Sequence, residues 1–405
     1  MLYQLYQSYA DGLAPLQSMA ASFGDMFVRP WFGLPQTALQ RGVMASCQLF
    51  AEGRLQHHRP PFGIDSVQIG NSAVPVIEEK VRVTPFATLL HFKKETPQPQ
   101  PRVLLVAPMS GHFATLLRHT VRTMLPEHDI YITDWHNARD VPLSAGDFDF
   151  DDFIDQVIQC LEVLGEGSHI VAVCQPVVAA LAAVSLMAQD RHPCQPRSMT
   201  LMAGPIDTRI KPTKVDDLAM EHPIEWFEAN LIQRVPAQHP GAYRQVYPGF
   251  LQIAAFMAMN LERHIRAFAR QFENIIDEDE RGVAAHRAFY EEYFAVMDLS
   301  ASFYLQTVNR IFQKHELARG VLVSRGRKIE PAAIRRTALL TVEGEKDDIC
   351  SIGQTLAAQE LCTSILPMRR NHHLQNGVGH YGVFSGHRWA NEVYPRVRHM
   401  IQANS

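Results

Sequence analysis

The chain has 405 residues, 46% of them apolar and 20% charged, and carries a formal net charge of −4 at pH 7. This is the composition of a globular protein able to bury a sizeable core, which excludes a disordered chain and a fibrous repeat. With no basic excess and no Lys/Arg cluster, nucleic acid is excluded as a partner, and the length suits one α/β unit enlarged by an insertion.

In chain order, the first residues lack the basic and apolar regions of a secretory signal. The six cysteines, Cys47, Cys160, Cys174, Cys194, Cys350 and Cys362, show no CxxC pair and no zinc-site spacing. Reduced thiols and a cytoplasmic location are the expectation. Leu2, Leu5, Tyr6, Tyr9, Leu13, Leu16 and Met19 recur at helical spacing, and 37–52 also reads as helix, so residues 1–65 form an N-terminal helical extension. Packing against the body of the protein is the expected role of its apolar face, with docking on a hydrophobic particle as the alternative. The run Arg59-Pro60-Pro61-Phe62-Gly63 ends the extension.

Short apolar runs then alternate with helical patterns. Residues 81–93 read as a strand or hairpin, and 103–107, 130–133, 169–173, 199–203 and 338–342 as buried strands, with 364–368 as a last member. This rhythm predicts an α/β fold, a mainly parallel sheet with helices on both faces, because parallel neighbours need crossover connections. Such sheets bind ligands at the carboxyl ends of their strands. The apolar stretch 171–188 approaches the length of a membrane span, but Gln175 and Pro176 divide it into strand, turn and helix, so no transmembrane segment is predicted. Between the two core portions, 66–205 and 328–405, residues 206–327 break the rhythm and form a helical cap insertion rich in Trp226, Phe227, Tyr243, Tyr247, Phe250, Phe256, Met257 and Met259. Those side chains are expected to pack as core, with an apolar mouth over a site as the sharper alternative. The acidic run 277–280 reads as a solvated loop.

The turn Val173-Cys174-Gln175-Pro176 lies between a strand and a helix, where an α/β-hydrolase places its nucleophile elbow. Ala172 and Pro176 stand where Gly-x-Ser-x-Gly has glycines. Alanine is small, and proline suits the first helical turn. A thiol there would gain from the helix N-terminus, although on local sequence alone a buried, inert cysteine is the plainer reading of Cys174. The order of the remaining parts favours chemistry. After strand 338–342 comes the carboxylate-bearing loop Glu343-Gly344-Glu345-Lys346-Asp347-Asp348, and 33 positions beyond Asp347 stands His380 in a glycine-rich loop. Nucleophile, acid, histidine is the order of this fold. His380 would take the thiol proton and return it to a leaving alcohol, while an acid fixes its tautomer. Asp347 and Asp348 are the candidates for that acid, with a helix cap or loop hydrogen bond as the plainer role for Asp348. The oxyanion hole would use the backbone amide of Gln175 with that of Met109 or Ser110. His112 is a possible substrate contact or a loop histidine satisfied by a neighbour. The adjacent pairs His57-His58 and His372-His373 cannot readily converge on one ion, so no metal is predicted. With no GxGxxG or P-loop, no cofactor is predicted.

With these residues in view, the chain resembles the intracellular polyhydroxybutyrate (PHB) depolymerases over nearly its whole length. The resemblance is carried by Leu2-Tyr3-Gln4-Leu5, Val173-Cys174-Gln175-Pro176, Gly204-Pro205-Ile206-Asp207, Glu225-Trp226-Phe227-Glu228, Tyr247-Pro248-Gly249-Phe250, the segment from Val342-Glu343-Gly344-Glu345 through Asp347-Asp348-Ile349, and Gly379-His380-Tyr381-Gly382. It implies a Cys174, Asp347, His380 triad that hydrolyses stored poly(3-hydroxybutyrate), and attachment to the storage-granule surface. Asp347 is preferred over Asp348 because it matches this pattern. Ala179 and Val378 depart from it, standing where a second proline and a cysteine are common, and neither change removes a catalytic group. Two rival readings remain open at this point: a polyester-synthase-like acyltransferase, and a non-catalytic granule-coating protein.

Overall fold

The structure is a computed structural model and describes residues 2–28, 37–96 and 98–405. Its centre is an eight-stranded sheet of β1 (Ile77–Val83), β2 (Ala87–Lys93), β3 (Arg102–Val106), β4 (Asp129–Trp135), β5 (His169–Val173), β6 (Ser198–Met202), β7 (Ala338–Gly344) and β8 (Arg370–Gln375). The spatial order is 1-2-4-3-5-6-7-8. β2 pairs antiparallel with β1 and β4, and every other neighbouring pair is parallel. That order, with its crossover helices, is the α/β-hydrolase fold. Strands β5, β6 and β7 are buried from end to end, as expected where helices cover both faces.

The last strand lies beyond the predicted 364–368. Residues 367–369 form a single helical turn started by Pro367, and the chain extends only afterwards, through Arg370–Gln375. β8 is an edge strand, largely solvated, so it carries Asn371, His372 and His373 rather than the apolar run the sequence reading sought.

The longer helices are α1 (Leu2–Val28), α2 (Ala38–Glu52), α3 (Arg118–Met124), α4 (Phe150–Leu164), α5 (Val177–Gln189), α6 (Lys214–Glu221), α7 (Ile224–Leu231), α8 (Gly249–Met259), α9 (Leu261–Ile276), α10 (Glu280–Tyr293), α11 (Ala301–Thr307) and α12 (Tyr394–Gln402). α4 starts at a capping box between Asp149 and Asp152, and α2 at one between Thr37 and Gln40. α5 is buried all round from Val177 to Met187, which explains its lack of a polar face. Helices α6 to α11 lie between β6 and β7 and cover the carboxyl edge of the sheet. The acidic run joins α9 to α10, with Asp279 capping α10.

In α1 the inward stripe differs from the predicted face. Tyr3 is fully buried and Tyr6 and Leu13 partly so, whereas Leu5 (62% exposed), Tyr9 (67%), Leu16 (53%) and Met19 (67%) face outward. The inward stripe is built largely from aromatic and small residues. Tyr6 stacks on Phe250 at 4.0 Å between ring centroids, and the Tyr3 hydroxyl donates to Oδ2 of Asp298 at 2.6 Å. Oδ1 of Asp298 accepts from the amide of Gly249, where a Cβ would come within 2.9 Å of the Met297 carbonyl oxygen. Two segments remote in sequence, around Tyr3 and around Gly249, thus meet at one buried carboxylate. Among the described residues, no helix is long and apolar enough to cross a membrane.

Candidate active site

The site is assembled at the carboxyl edge of the sheet, where β5, β7 and β8 end. β5 runs straight into Cys174, whose φ of +66° is left-handed. For a residue with a Cβ this costs on the order of 1–2 kcal/mol, so the surroundings must impose it. They do so through hydrogen bonds from Cys174 N to Met202 O at 2.8 Å and from Val177 N to Cys174 O at 3.2 Å. Gly204, just past β6, backs directly onto the turn. A Cβ there would lie 2.1 Å from Cγ2 of Val177 and 2.4 Å from the carbonyl oxygen of Cys174. The Thr355 hydroxyl fastens Gly204 in turn, donating to its carbonyl at 2.9 Å and accepting from its amide at 2.8 Å. The departure at Ala179 falls inside fully buried α5.

His380 follows β8 and is buried. Its Nδ1 lies 2.8 Å from Oδ2 of Asp347, and the ring lines the same cavity as Cys174. Burial alone would lower the affinity of this ring for a proton. The Asp347 carboxylate and the Cys174 sulfur outweigh it and hold the imidazole well above its ordinary range. Oδ1 of Asp347 accepts from the amides of Ile349 and Cys350, both at 2.9 Å. Asp348 instead accepts from Nδ2 of Asn260 at 3.1 Å, linking the acid loop to the start of α9.

Among the described residues, the backbone amides of Met109, Ser110 and Gln175 donate to no protein acceptor. All three residues line the same cavity as Cys174 and His380. His112 also lines it, but its Nε2 lies 3.2 Å from the Tyr293 carbonyl oxygen, and burial pushes its pKa down to about 4, so the ring is neutral at pH 7. The cavity has a volume of about 560 Å3 and a mainly apolar wall, with Leu116, Phe227, Phe256, Met259, Phe303 and Phe312 among its members. The cap aromatics are therefore divided between core and cavity wall. α11 passes into a wider π-helical turn, Val308–Gln313, which brings Val308 and Phe312 onto that wall. The Tyr247 and Tyr304 ring centroids stand 4.0 Å apart there, and burial pushes the Tyr247 phenol up to about 12.

Sequence reasoning took Glu343 only as part of a carboxylate-bearing loop. It is completely buried, and Oε1 accepts from the amides of Gly353, Thr355 and Leu356 at 2.8 to 3.0 Å. This carboxylate anchors the loop that positions both Thr355 and Asp347. Cys350 was likewise passed over. It is buried in the cavity wall with Sγ 3.6 Å from the Thr355 hydroxyl, and burial, followed by the charges of Asp347 and Cys174, pushes its thiol well up. A carboxylate or thiol within ten residues of the proposed acid is the signal that would have flagged both. The histidines of one adjacent pair are engaged elsewhere, His372 with Thr341 and His373 with Gln375, and His57 of the other contacts the Tyr6 hydroxyl. Among the described residues, no group of three or more His, Cys, Asp or Glu is placed to hold a metal ion.

A model of the family described as PHB de-polymerase C-terminus matches residues 203–405. No curated protein sequence matches the chain. Among solved structures, the chain is similar to a candidate lipase of Acinetobacter baumannii AYE, at 12% identity over 82% of this chain and 93% of the other, with a TM-score of 0.46. It is also similar to the 2-hydroxy-6-oxo-6-phenylhexa-2,4-dienoate hydrolase of Rhodococcus sp. strain RHA1, at 13% identity over 81% and 99%, TM-score 0.42. The meta-cleavage product hydrolase of Pseudomonas fluorescens IP01 is similar at 15% identity over 83% and 96%, TM-score 0.41.

Proposed function

Because the chain is an α/β-hydrolase that belongs to the PHB depolymerase family, we propose that it hydrolyses ester bonds of stored poly(3-hydroxybutyrate) with Cys174 as nucleophile. The observation that carries this reading is the 2.8 Å contact between His380 and the Asp347 carboxylate, with the His380 ring in the wall of the cavity that Cys174 also lines.

In the first step His380 holds the proton of Cys174, and the sulfur attacks the ester carbonyl carbon. A C–S bond forms, and the carbonyl oxygen gathers negative charge. The free amide of Gln175 and that of Met109 or Ser110 would stabilise this oxyanion, the kind of contribution whose loss typically costs about 100-fold to 1000-fold in rate. As the C–O bond breaks, His380 gives its proton to the departing alkoxide, leaving an acyl-enzyme. In the second step His380 takes a proton from water, the hydroxide displaces the sulfur, and the hydroxy acid leaves. Asp347 keeps the imidazolium oriented throughout.

The apolar cavity suits a polyester backbone with methyl side groups. The exposed stripe Leu2, Leu5, Tyr9, Leu16 and Met19 of α1, with Leu39 and Phe50 of α2, supports attachment to a hydrophobic granule surface, and with it a cytoplasmic site of action.

The test is release of 3-hydroxybutyrate from amorphous granules by wild type and Cys174→Ala in parallel. Hydrolysis by wild type, with the variant bound to granules but silent, is the expected result. Retained hydrolysis in Cys174→Ala overturns the mechanism, and consumption of 3-hydroxybutyryl-CoA without granule hydrolysis points to an acyltransferase instead.

A further inference from the structure

Several polar side chains of the cavity pair internally. His112 meets the Tyr293 carbonyl, Nε2 of Gln252 reaches the carbonyl oxygens of Tyr247 at 3.1 Å and Met297 at 3.4 Å, and the Thr307 hydroxyl donates to Phe303 O at 2.8 Å. Gln175 is different. Both Oε1 and Nε2 of its carboxamide are buried, and neither has a hydrogen-bond partner. Among the described cavity-lining residues it is the only one whose buried side-chain nitrogen or oxygen atoms lack a partner. It directly follows the proposed nucleophile. An unpaired buried donor or acceptor costs about 1–3 kcal/mol, so a carboxamide left unpaired beside the proposed nucleophile gains from a ligand that satisfies it.

A primary amide offers one acceptor and two N–H donors, so a full match must itself both accept and donate. Within a poly(3-hydroxybutyrate) chain every ester oxygen is an acceptor only, and the terminal carboxylate is an acceptor only at neutral pH. The single donor in the whole molecule is the 3-hydroxyl at the opposite end. We propose that the Gln175 side chain recognises this hydroxyl terminus, Oε1 accepting from the 3-hydroxyl and Nε2 donating to an ester oxygen, so that the terminal unit is the one transferred to Cys174. The enzyme then acts from the hydroxyl end and releases one hydroxy acid per cycle. Gln175 would be a specificity residue through its side chain, apart from any use of its backbone amide. The inference rests on the depolymerase reading.

Two soluble dimers with the same leaving group separate the possibilities: 3-hydroxybutyryl-3-hydroxybutyrate, and butyryl-3-hydroxybutyrate, which lacks only the acyl hydroxyl. Wild type should favour the hydroxylated dimer in kcat/KM by about tenfold or more. Gln175→Met should bring that ratio close to one, whereas Gln175→Glu, which keeps an acceptor, should retain a preference. Reading each variant as a ratio cancels any general loss of activity. A third arm uses wild type alone, for which acetylating the hydroxyl terminus of the trimer should slow cleavage by a similar factor. Equal rates on both dimers, an unchanged ratio in Gln175→Met, or indifference to acetylation overturns the inference while leaving the depolymerase reading intact. Failure of wild type to cleave either dimer or granules overturns both.

Discussion

Nδ1 of His380 lies 2.8 Å from Oδ2 of Asp347, and that carboxylate cannot easily turn away, because its other oxygen is occupied by the amides of Ile349 and Cys350. The neighbouring Asp348 has no such setting and faces the cap through Asn260. Two consecutive aspartates therefore have separate tasks.

The first prediction follows from that difference. Asp347→Asn would present an amide N–H to Nδ1, forcing the proton to Nε2, where it blocks acceptance of the thiol proton. We expect kcat on granules or soluble dimers to fall by about 1000-fold to 10,000-fold with the circular dichroism unchanged. Asp348→Asn should stay within about threefold of wild type, and a comparable loss there would reassign the acid.

The elbow sets function against stability. Glycine adopts the left-handed conformation of residue 174 without penalty, so Cys174→Gly should unfold at a higher free energy than Cys174→Ala, by about 1 kcal/mol in urea titrations, although both are inactive. Gly204→Ala should do the reverse. Its new methyl would collide with Val177 and the Cys174 carbonyl, costing about 3 kcal/mol and displacing the sulfur, which a slower reaction with iodoacetamide would register. Normal alkylation and stability in Gly204→Ala would show that the contact is slack.

Glu343 stabilises its loop through three backbone amides, so Glu343→Leu leaves several donors unpaired inside the protein. A loss of at least about 3 kcal/mol is expected. Protection of the Thr355 and Leu356 amides in hydrogen exchange should drop first, since their acceptor is the group removed. Protection unchanged at those two positions would contradict the anchoring role.

Asp298 makes a pH prediction. Burial raises its pKa to about 6, against the opposing effect of hydrogen bonds from Tyr3 and the Gly249 amide. With the folded value above the unfolded one, the stability it confers is fully present below the ordinary aspartate pKa of about 4 and is lost as pH rises through 6. Asp298→Asn does not titrate and should escape that loss. The unfolding free energy of the variant relative to wild type should therefore climb by up to about 3 kcal/mol between pH 4 and pH 7. A flat difference across that range would mean that the carboxyl is not desolvated as described.

Much of this protein was legible in its linear order. The alternation of buried strands and helices, the helical stretch between β6 and β7, and the succession of Cys174, Asp347 and His380 after β5, β7 and β8 all rest on local periodicity and chain order, which a sequence displays directly. The edge strand β8 escaped because a solvated edge needs no apolar run, and the inward stripe of α1 escaped because Tyr3 and small residues line it rather than its most hydrophobic members. Only the closed chain decided that Tyr3 meets Asp298, 295 positions away, that Gly204 must leave room for the elbow, that Glu343 anchors the acid loop, and that the Gln175 side chain is left idle. Local patterns arise from neighbours a few residues apart, but close contact and hydrogen-bond satisfaction depend on atoms that only the tertiary fold brings together.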